Sequence, residues 1–122
     1  MTARFFIFTI LAISFLSTNV SSMEMENHDT AVLGALNKIT GKTSLIEAHV
    51  GEVASFGDLE IKILSCQKSS PLDPPESASY LKIKNGDNIL FSGWMYASSP
   101  ALSAMENGIY DIWVKDCKKE DL

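Results

Sequence analysis

The sequence predicts a mainly β fold, a small antiparallel β-sandwich or partly open barrel with one short helix. Apolar and polar residues alternate with a period of two in several short segments, and glycine, proline and Asn-Gly turn signals separate these segments. One short stretch, which begins near Pro100, has the pattern of a capped helix. The strand-helix-strand alternation typical of a parallel sheet is missing, so we expect local antiparallel connections.

The first 22 residues have the pattern of a cleavable signal peptide. Arg4 precedes an apolar run from Phe5 to Leu16, and small polar residues follow from Ser17 to Ser22. The apolar run is shorter than the roughly 20 residues that cross a bilayer as a helix. We therefore expect cleavage near Ser22, export, and no transmembrane anchor in the mature form. A buried N-terminal helix and an uncleaved anchor are the alternatives.

The rest of the chain has room for one domain with a single modest core. Residues 23–30 are polar and lack periodicity, which is typical of a disordered leader. We expect residues 31–117 to form the β-rich domain and residues 118–122 to form a C-terminal tail. Acidic residues outnumber basic ones by 15 to 10, and the single arginine, Arg4, lies in the signal segment. This charge balance argues against nucleic acid and anionic membranes as partners.

The first strands are expected on both sides of a turn. Residues 31–39 fit either a helix or a strand, and the turn signal Thr40-Gly41-Lys42 favours the strand because residues 44–50 then alternate as its partner. The clearest alternation follows in residues 59–66, where Leu59, Ile61 and Ile63 share one face. This segment predicts a half-buried strand.

The second half of the chain begins with a proline-rich loop at residues 67–77. Residues 81–84 and 89–94 then predict a hairpin, in which Asn85-Gly86 supplies the positive φ angles of the turn. Ser98 or Ser99 is expected to cap a short helix, with Pro100 in its first turn and Gly108 at its end. Residues 109–114 predict the last strand, in which Asp111 and Trp113 face away from Tyr110, Ile112 and Val114.

Cys66 and Cys117 are the two cysteines of the chain, and an even count in an exported protein predicts one disulfide. It would close a loop of about 50 residues and stabilise the domain by roughly 4 kcal/mol in the chain-entropy model. Two separate buried thiols are the alternative. We expect no metal site, because His28 lies in the leader and His49 is the one remaining imidazole.

Large aromatic and sulfur side chains cluster at Trp94, Met95, Tyr96 and Trp113. Either core packing or a binding surface explains them, and successive strand residues point to opposite faces, so Trp94 and Met95 cannot both be buried in one core. We therefore predict a partner-binding region that comprises Trp94, Met95, Tyr96, Ser98, Ser99, Pro100 and Trp113.

Catalytic chemistry finds little support in the sequence. Ser98 and Ser99 lack both the Gly-x-Ser-x-Gly elbow and a suitable histidine base, so helix capping explains them better. Glu106 and Asp111 are a possible carboxylate pair for glycosidic cleavage, although both positions are ordinary for solvated acids. We expect no catalytic residue and no cofactor.

The run from Phe91 to Ala104, the segment from Tyr110 to Val114 and Cys117 resemble the bacterial domain family DUF2155, whose function is unknown. Residues 36–41 and the block 57–66 share the likeness, which covers nearly all of 31–117. The resemblance implies an exported alphaproteobacterial, hence periplasmic, protein. The family usually has Glu-His-Pro where Glu106-Asn107-Gly108 stand here, and an aspartate at the position of Asn37. This member therefore could not use that histidine in catalysis.

These observations favour a non-enzymatic periplasmic module that binds an unidentified envelope protein, or assists envelope assembly, through residues 94–100. Two other functions stay open. One is an envelope enzyme acting on glycans through Glu106 and Asp111. The other is a small-ligand carrier, which would need an apolar cavity that so small a sandwich can barely accommodate.

Overall fold

Two antiparallel sheets form the domain in this computed structural model, which describes residues 23–120. The predicted signal peptide, residues 1–22, lies outside the described residues. The sheets are not closed into a barrel, so the predicted β-sandwich is confirmed. The elements in chain order are β1 (Met25–Asn27), β2 (Thr30–Asn37), β3 (Lys42–His49), β4 (Val53–Phe56), β5 (Leu59–Ser69), β6 (Ser77–Asn85), β7 (Asn88–Tyr96), α1 (Pro100–Ser103), β8 (Met105–Glu106) and β9 (Tyr110–Lys118).

The first sheet has the strand order β1-β5-β6-β7, and β4 also pairs with β5. Strand β4 lies along the beginning of β5 and β1 along its end, which leaves β7 as the opposite edge. The second sheet has the order β3-β2-β9-β8. All these pairings are antiparallel, as the short connections predict.

The core lies between the sheets and follows the alternation of the strands. Leu59, Ile61 and Ile63 of β5 are fully buried on one face, as predicted, and Tyr110, Ile112 and Val114 are the buried set of β9. The other members of the core are Ala31, Leu33, Ala35, Ala48, Cys66, Leu81, Ile83, Met95, Met105 and Cys117. Asp111 and Trp113 lie on the outer face of the second sheet.

The predicted disulfide is confirmed and joins the two sheets. Cys66 of β5 and Cys117 of β9 are bonded, with 5.7 Å between their Cα atoms. Each strand contains one extra residue just before its cysteine: Leu64 interrupts the register of β5 with β6, and Lys115 that of β9 with β2. The bond therefore links a central strand of one sheet to a central strand of the other.

Several elements differ from the sequence-based expectations. Within residues 23–30, expected to be disordered, β1 pairs with the end of β5 and Thr30 begins β2, because the edge of β5 offers backbone partners that a sequence pattern does not reveal. The helix ends at Ser103, so Gly108 is not its stop, and Met105–Glu106 pairs with β9 instead. In the β6–β7 turn Gly86 alone takes a positive φ, 59°, and Asn85 does not.

Candidate functional site

The outer face of the first sheet carries the aromatic residues that the sequence singled out. Along β7, Trp94 and Tyr96 point outward and are 38% and 43% exposed, whereas Met95 points into the core and is 1% exposed. Met95 is therefore not a partner-binding residue, and this part of the prediction is wrong. Because successive side chains of a strand alternate between its faces, Trp94 and Tyr96 are available to a partner while Met95 packs in the core.

Trp94 is held in place by a cross-strand aromatic contact. Tyr80 of β6 is its direct partner in the antiparallel register. The two rings meet edge to face, with centroids 5.5 Å apart and planes at 83°. Such pairs stabilise by about 0.5 to 1.5 kcal/mol beyond the area they bury. The indole is thus partly solvent-exposed yet fixed in orientation.

A shallow groove of about 330 Å³ runs beside these aromatic side chains. We call it the outer groove, and its lining residues are Met23, Met25, Gln67, Glu76, Ala78, Trp94 and Tyr96. Strand β1 supplies one side, where Asn27 accepts a hydrogen bond from the Gln67 side chain at 3.2 Å. Two methionines therefore face two aromatic rings, and this combination gives an apolar surface with adaptable thioether side chains.

The segment after β7 supports one end of the outer groove. The Ser98 backbone N–H donates to the Glu76 carboxylate at 3.1 Å, and the Ser98 hydroxyl donates to the same carboxylate. Ser103 of α1 accepts a hydrogen bond from the Tyr96 N–H at 3.0 Å through its hydroxyl. Ser98, a predicted site residue, and Ser103, which was not predicted, therefore hold β7, α1 and the proline-rich loop together.

The predicted start of the helix is confirmed, although its capping is not. Ser99 is the N-cap residue and Pro100 occupies the first helical position. The Ser99 side chain makes no capping hydrogen bond. Its carbonyl accepts from the Ser103 N–H at 3.2 Å instead. The role of this short helix is to place Ser103 against Tyr96.

Trp113 does not belong to the same surface as Trp94. It projects from β9 on the outer face of the second sheet, on the other side of the sandwich from the outer groove. Its indole lies directly over Gly34, its partner on β2, where no Cβ would fit. The structure therefore does not bring Trp113 together with Trp94 in one patch.

Glu106 and Asp111 are direct cross-strand partners in the β8–β9 pair. Asp111 forms an ion pair with Lys38 at 2.9 Å, and Lys38 also donates a hydrogen bond to the Asn107 carbonyl. The aspartate is therefore engaged in tying the end of β2 to the β8–β9 turn. A lysine-paired carboxylate on an open sheet surface does not have the enclosed setting that glycosidic cleavage requires.

Lysines dominate the outer face of the first sheet at the end away from α1. Lys62, Lys82 and Lys84 line a depression of about 280 Å³ with Val53, Glu60 and Leu64. We call the three lysines the lysine cluster. Lys62 and Lys82 are direct cross-strand partners, an arrangement that destabilises an antiparallel pair unless an anion lies nearby. None of the three forms an ion pair with another of residues 23–120.

A half-exposed carboxylate, that of Asp116, adjoins the disulfide. Burial raises the pKa of Asp116, but the Lys68 ammonium at 2.9 Å, the Ser77 hydroxyl and the Cys117 N–H outweigh this effect. The resulting pKa lies below the ordinary value of 3.8. This network joins β5, β6 and β9, so its role is structural.

The described chain holds no group of three or more histidine, cysteine, aspartate or glutamate side chains placed to bind a metal ion. None of its helices has the length and apolar character needed to cross a membrane.

Sequence reasoning missed one wall of the outer groove. The sequence pattern places Met23 and Met25 in a disordered leader and Gln67 in the proline-rich loop, and it assigns Ala78 to no element. Tyr80 was also missed. The signal for Tyr80 was present, because it precedes the inward-facing Leu81 and must therefore point outward beside Trp94.

Comparison with known proteins identifies the family of this chain. Residues 31–117 match the family model described as an uncharacterized protein conserved in bacteria, DUF2155. The chain belongs to this family. An uncharacterized protein of Rickettsia prowazekii (strain Madrid E) is 40% identical over 106 residues, which cover 81% of this chain and 67% of the relative. No solved structure matches the chain. The DUF2155 resemblance noted in the sequence is thus confirmed.

Proposed function

We propose that this DUF2155 protein is a non-enzymatic module of the bacterial periplasm that binds a protein partner through the outer groove. The single observation that carries the proposal is the half-exposed pair Trp94 and Tyr96 beside an apolar groove. Tryptophan and tyrosine are enriched among the residues that dominate binding energy at protein interfaces. A partner located in the bacterial envelope would give the protein a role in envelope assembly.

The support of the two aromatic side chains favours binding. Tyr80 fixes Trp94 through an edge-to-face contact, and Ser103 fixes the backbone at Tyr96. Side chains that are ordered before binding lose less conformational entropy when a partner arrives. A sheet also holds them more rigidly than a loop would.

The shape of the surface favours a macromolecule over a small ligand. The outer groove lies on the outside of a sheet, and the space between the sheets is filled by core side chains. A carrier typically encloses most of the surface of its ligand in a cavity. The outer groove offers instead an open, elongated surface of the kind that a polypeptide can cover.

The proposal is tested by capturing partners from an envelope extract of a bacterium that contains the protein. Trp94→Ala and Tyr96→Ala are compared with Leu45→Ala, which removes a 66% exposed side chain from the outer face of the other sheet. We expect the two groove variants to lose a partner that the wild type and the control retain.

Thermal unfolding of all four proteins separates binding from stability. Loss of the partner with a nearly unchanged midpoint supports the proposal. Retention of every captured protein by Trp94→Ala and Tyr96→Ala contradicts it. So does a defect that appears only together with unfolding, since these residues would then serve packing alone.

A further inference from the structure

Strand β7 is a long edge of the first sheet, with one irregularity in its pairing at Leu90 and a regular stretch from Phe91 to Tyr96. Its nine residues, Asn88–Tyr96, include neither a charged side chain nor a proline. Folded proteins normally guard a long edge strand with such residues, because its free backbone groups can pair with another chain. The long edge strand of the other sheet, β3, follows this rule and carries Lys42 and Glu47.

The hydrogen-bond pattern shows which backbone groups of β7 are free. Ala97 N–H donates to the Ser77 carbonyl at 2.8 Å, so these two residues form a hydrogen-bonded pair. Antiparallel ladders alternate between hydrogen-bonded and non-hydrogen-bonded pairs. Counting back along the register, the N–H and C=O groups of Ser92, Trp94 and Tyr96 point away from β6.

One of these three positions is already occupied. The Ser103 hydroxyl accepts from the Tyr96 N–H, and the Tyr96 carbonyl accepts from the Ser99 N–H at 3.2 Å. Helix α1 therefore closes the edge at one end. The backbone groups of Ser92 and Trp94 point outward and have no partner in the described chain. A short added strand could pair with them.

The charge next to this edge indicates the composition of the added strand. Lys82 is the cross-strand partner of Ser92, and Lys62 lies beyond it on the same outer face. An added strand would lie two strands from Lys82, across the small side chain of Ser92, and three strands from Lys62. A long acidic side chain on it could therefore approach Lys82 and offset part of the repulsion between Lys82 and Lys62.

We propose that β7 binds an extended, acidic segment of the partner protein as an additional strand of the first sheet. This inference rests on the proposed function and specifies how the partner binds. Backbone pairing at Ser92 and Trp94 gives affinity, contact with the Trp94 indole anchors one apolar side chain, and the lysine cluster selects acidic ones. A second copy of this chain fits poorly, because pairing two β7 strands would bring two lysine clusters to one sheet face.

Selection from a random peptide display library on the immobilised protein provides the probe. We expect peptides in which glutamate or aspartate alternates with apolar residues, and we expect them to perturb the backbone resonances of Ser92 and Trp94. N-methylation of the peptide at alternate residues, which removes its edge-facing donors, should weaken binding about tenfold or more. N-methylation of the other alternate residues, whose N–H groups point away from β7, should have a smaller effect.

A pair of charge variants tests the lysine cluster. Lys62→Gln combined with Lys82→Gln should weaken the selected peptide several-fold and reduce its dependence on salt. Lys42→Gln combined with Lys115→Gln removes two exposed lysines from the other sheet and should leave binding unchanged. Basic or helical peptides, insensitivity to N-methylation, selection of sugars over peptides in a glycan array, or dimerisation through β7 would each overturn the inference.

These outcomes separate the inference from the proposed function. If Trp94→Ala abolishes partner capture while the double lysine variant and the N-methylated peptide bind normally, the outer groove binds its partner without strand addition. If Trp94→Ala has no effect on capture, the proposed function itself fails.

Discussion

The indole of Trp113 covers Gly34, its cross-strand partner in the second sheet, so closely that a Cβ added at residue 34 would force the ring to shift. A tryptophan in a family motif invites a functional interpretation. Here the ring instead shields the backbone of β2 on an otherwise open sheet face. The two tryptophans of the chain therefore have different roles, Trp94 in the proposed binding surface and Trp113 in sheet packing.

Gly34→Ala should destabilise the domain, because the added methyl group must displace the Trp113 ring. Overpacking of this kind typically costs about 1 to 3 kcal/mol. In a Trp113→Ala background the same glycine substitution should cost much less, so chemical denaturation of the two single variants and the double variant forms a double-mutant cycle. Additive effects of the two substitutions would contradict the contact.

Cys66→Ala combined with Cys117→Ala should lower the free energy of unfolding by about 2 to 5 kcal/mol, because the disulfide crosslinks the two sheets. Urea unfolding of this variant is compared with that of the wild type in the presence and absence of a reductant. The reductant should destabilise the wild type and leave the variant unaffected. Equal unfolding midpoints for the wild type and the variant would show that the disulfide adds no stability.

Acid should weaken the domain through Asp116. Its pKa lies below the ordinary value of 3.8, so its contribution to stability is complete above that value and is lost as the pH falls through the lower, folded-state pKa. Asp116→Asn should therefore be less stable than the wild type near neutral pH, and the difference should shrink in acid below about pH 4. Thermal midpoints across the acid range measure this. A difference that stays constant with pH would contradict the role of the charge.

Export can be tested directly in a bacterium that produces the full chain. We expect the mature protein to begin at Met23 and to fractionate with soluble periplasmic contents, because residues 1–22 have the pattern of a signal peptide. N-terminal sequencing of the purified protein gives the answer. A chain that begins at Met1, or one that remains with the membrane fraction, would contradict the prediction.

The inner and outer faces of the main strands could be predicted from alternation alone. Leu59, Ile61 and Ile63 are buried, as are Ile112 and Val114, because a strand with one face on a core must repeat every second residue. The same rule separates Trp94 from Met95. It could not say which of the two is inside, since both are large and apolar and the choice depends on the register with β6.

Elements without periodicity could not be predicted. Strand β1 has three residues, and its position depends on the free edge at the end of β5, which is a tertiary property. The residues after Ser103 continue a composition that suits a helix, but pairing of Met105 and Glu106 with β9 overrides that local preference. The outer groove was incomplete in the prediction for the same reason, since one of its walls belongs to β1.

The extra residues in β5 and β9 restrict where this chain can lose a residue. In each strand, one alternating set of side chains points into the core before the extra residue. After the extra residue, the other set points into the core. Without Leu64, Cys66 would point to solvent, and without Lys115 so would Cys117. Closure of the disulfide therefore depends on two single-residue insertions that lie far apart in the sequence. Loss of either one alone would leave two unpaired thiols on opposite sides of a sheet.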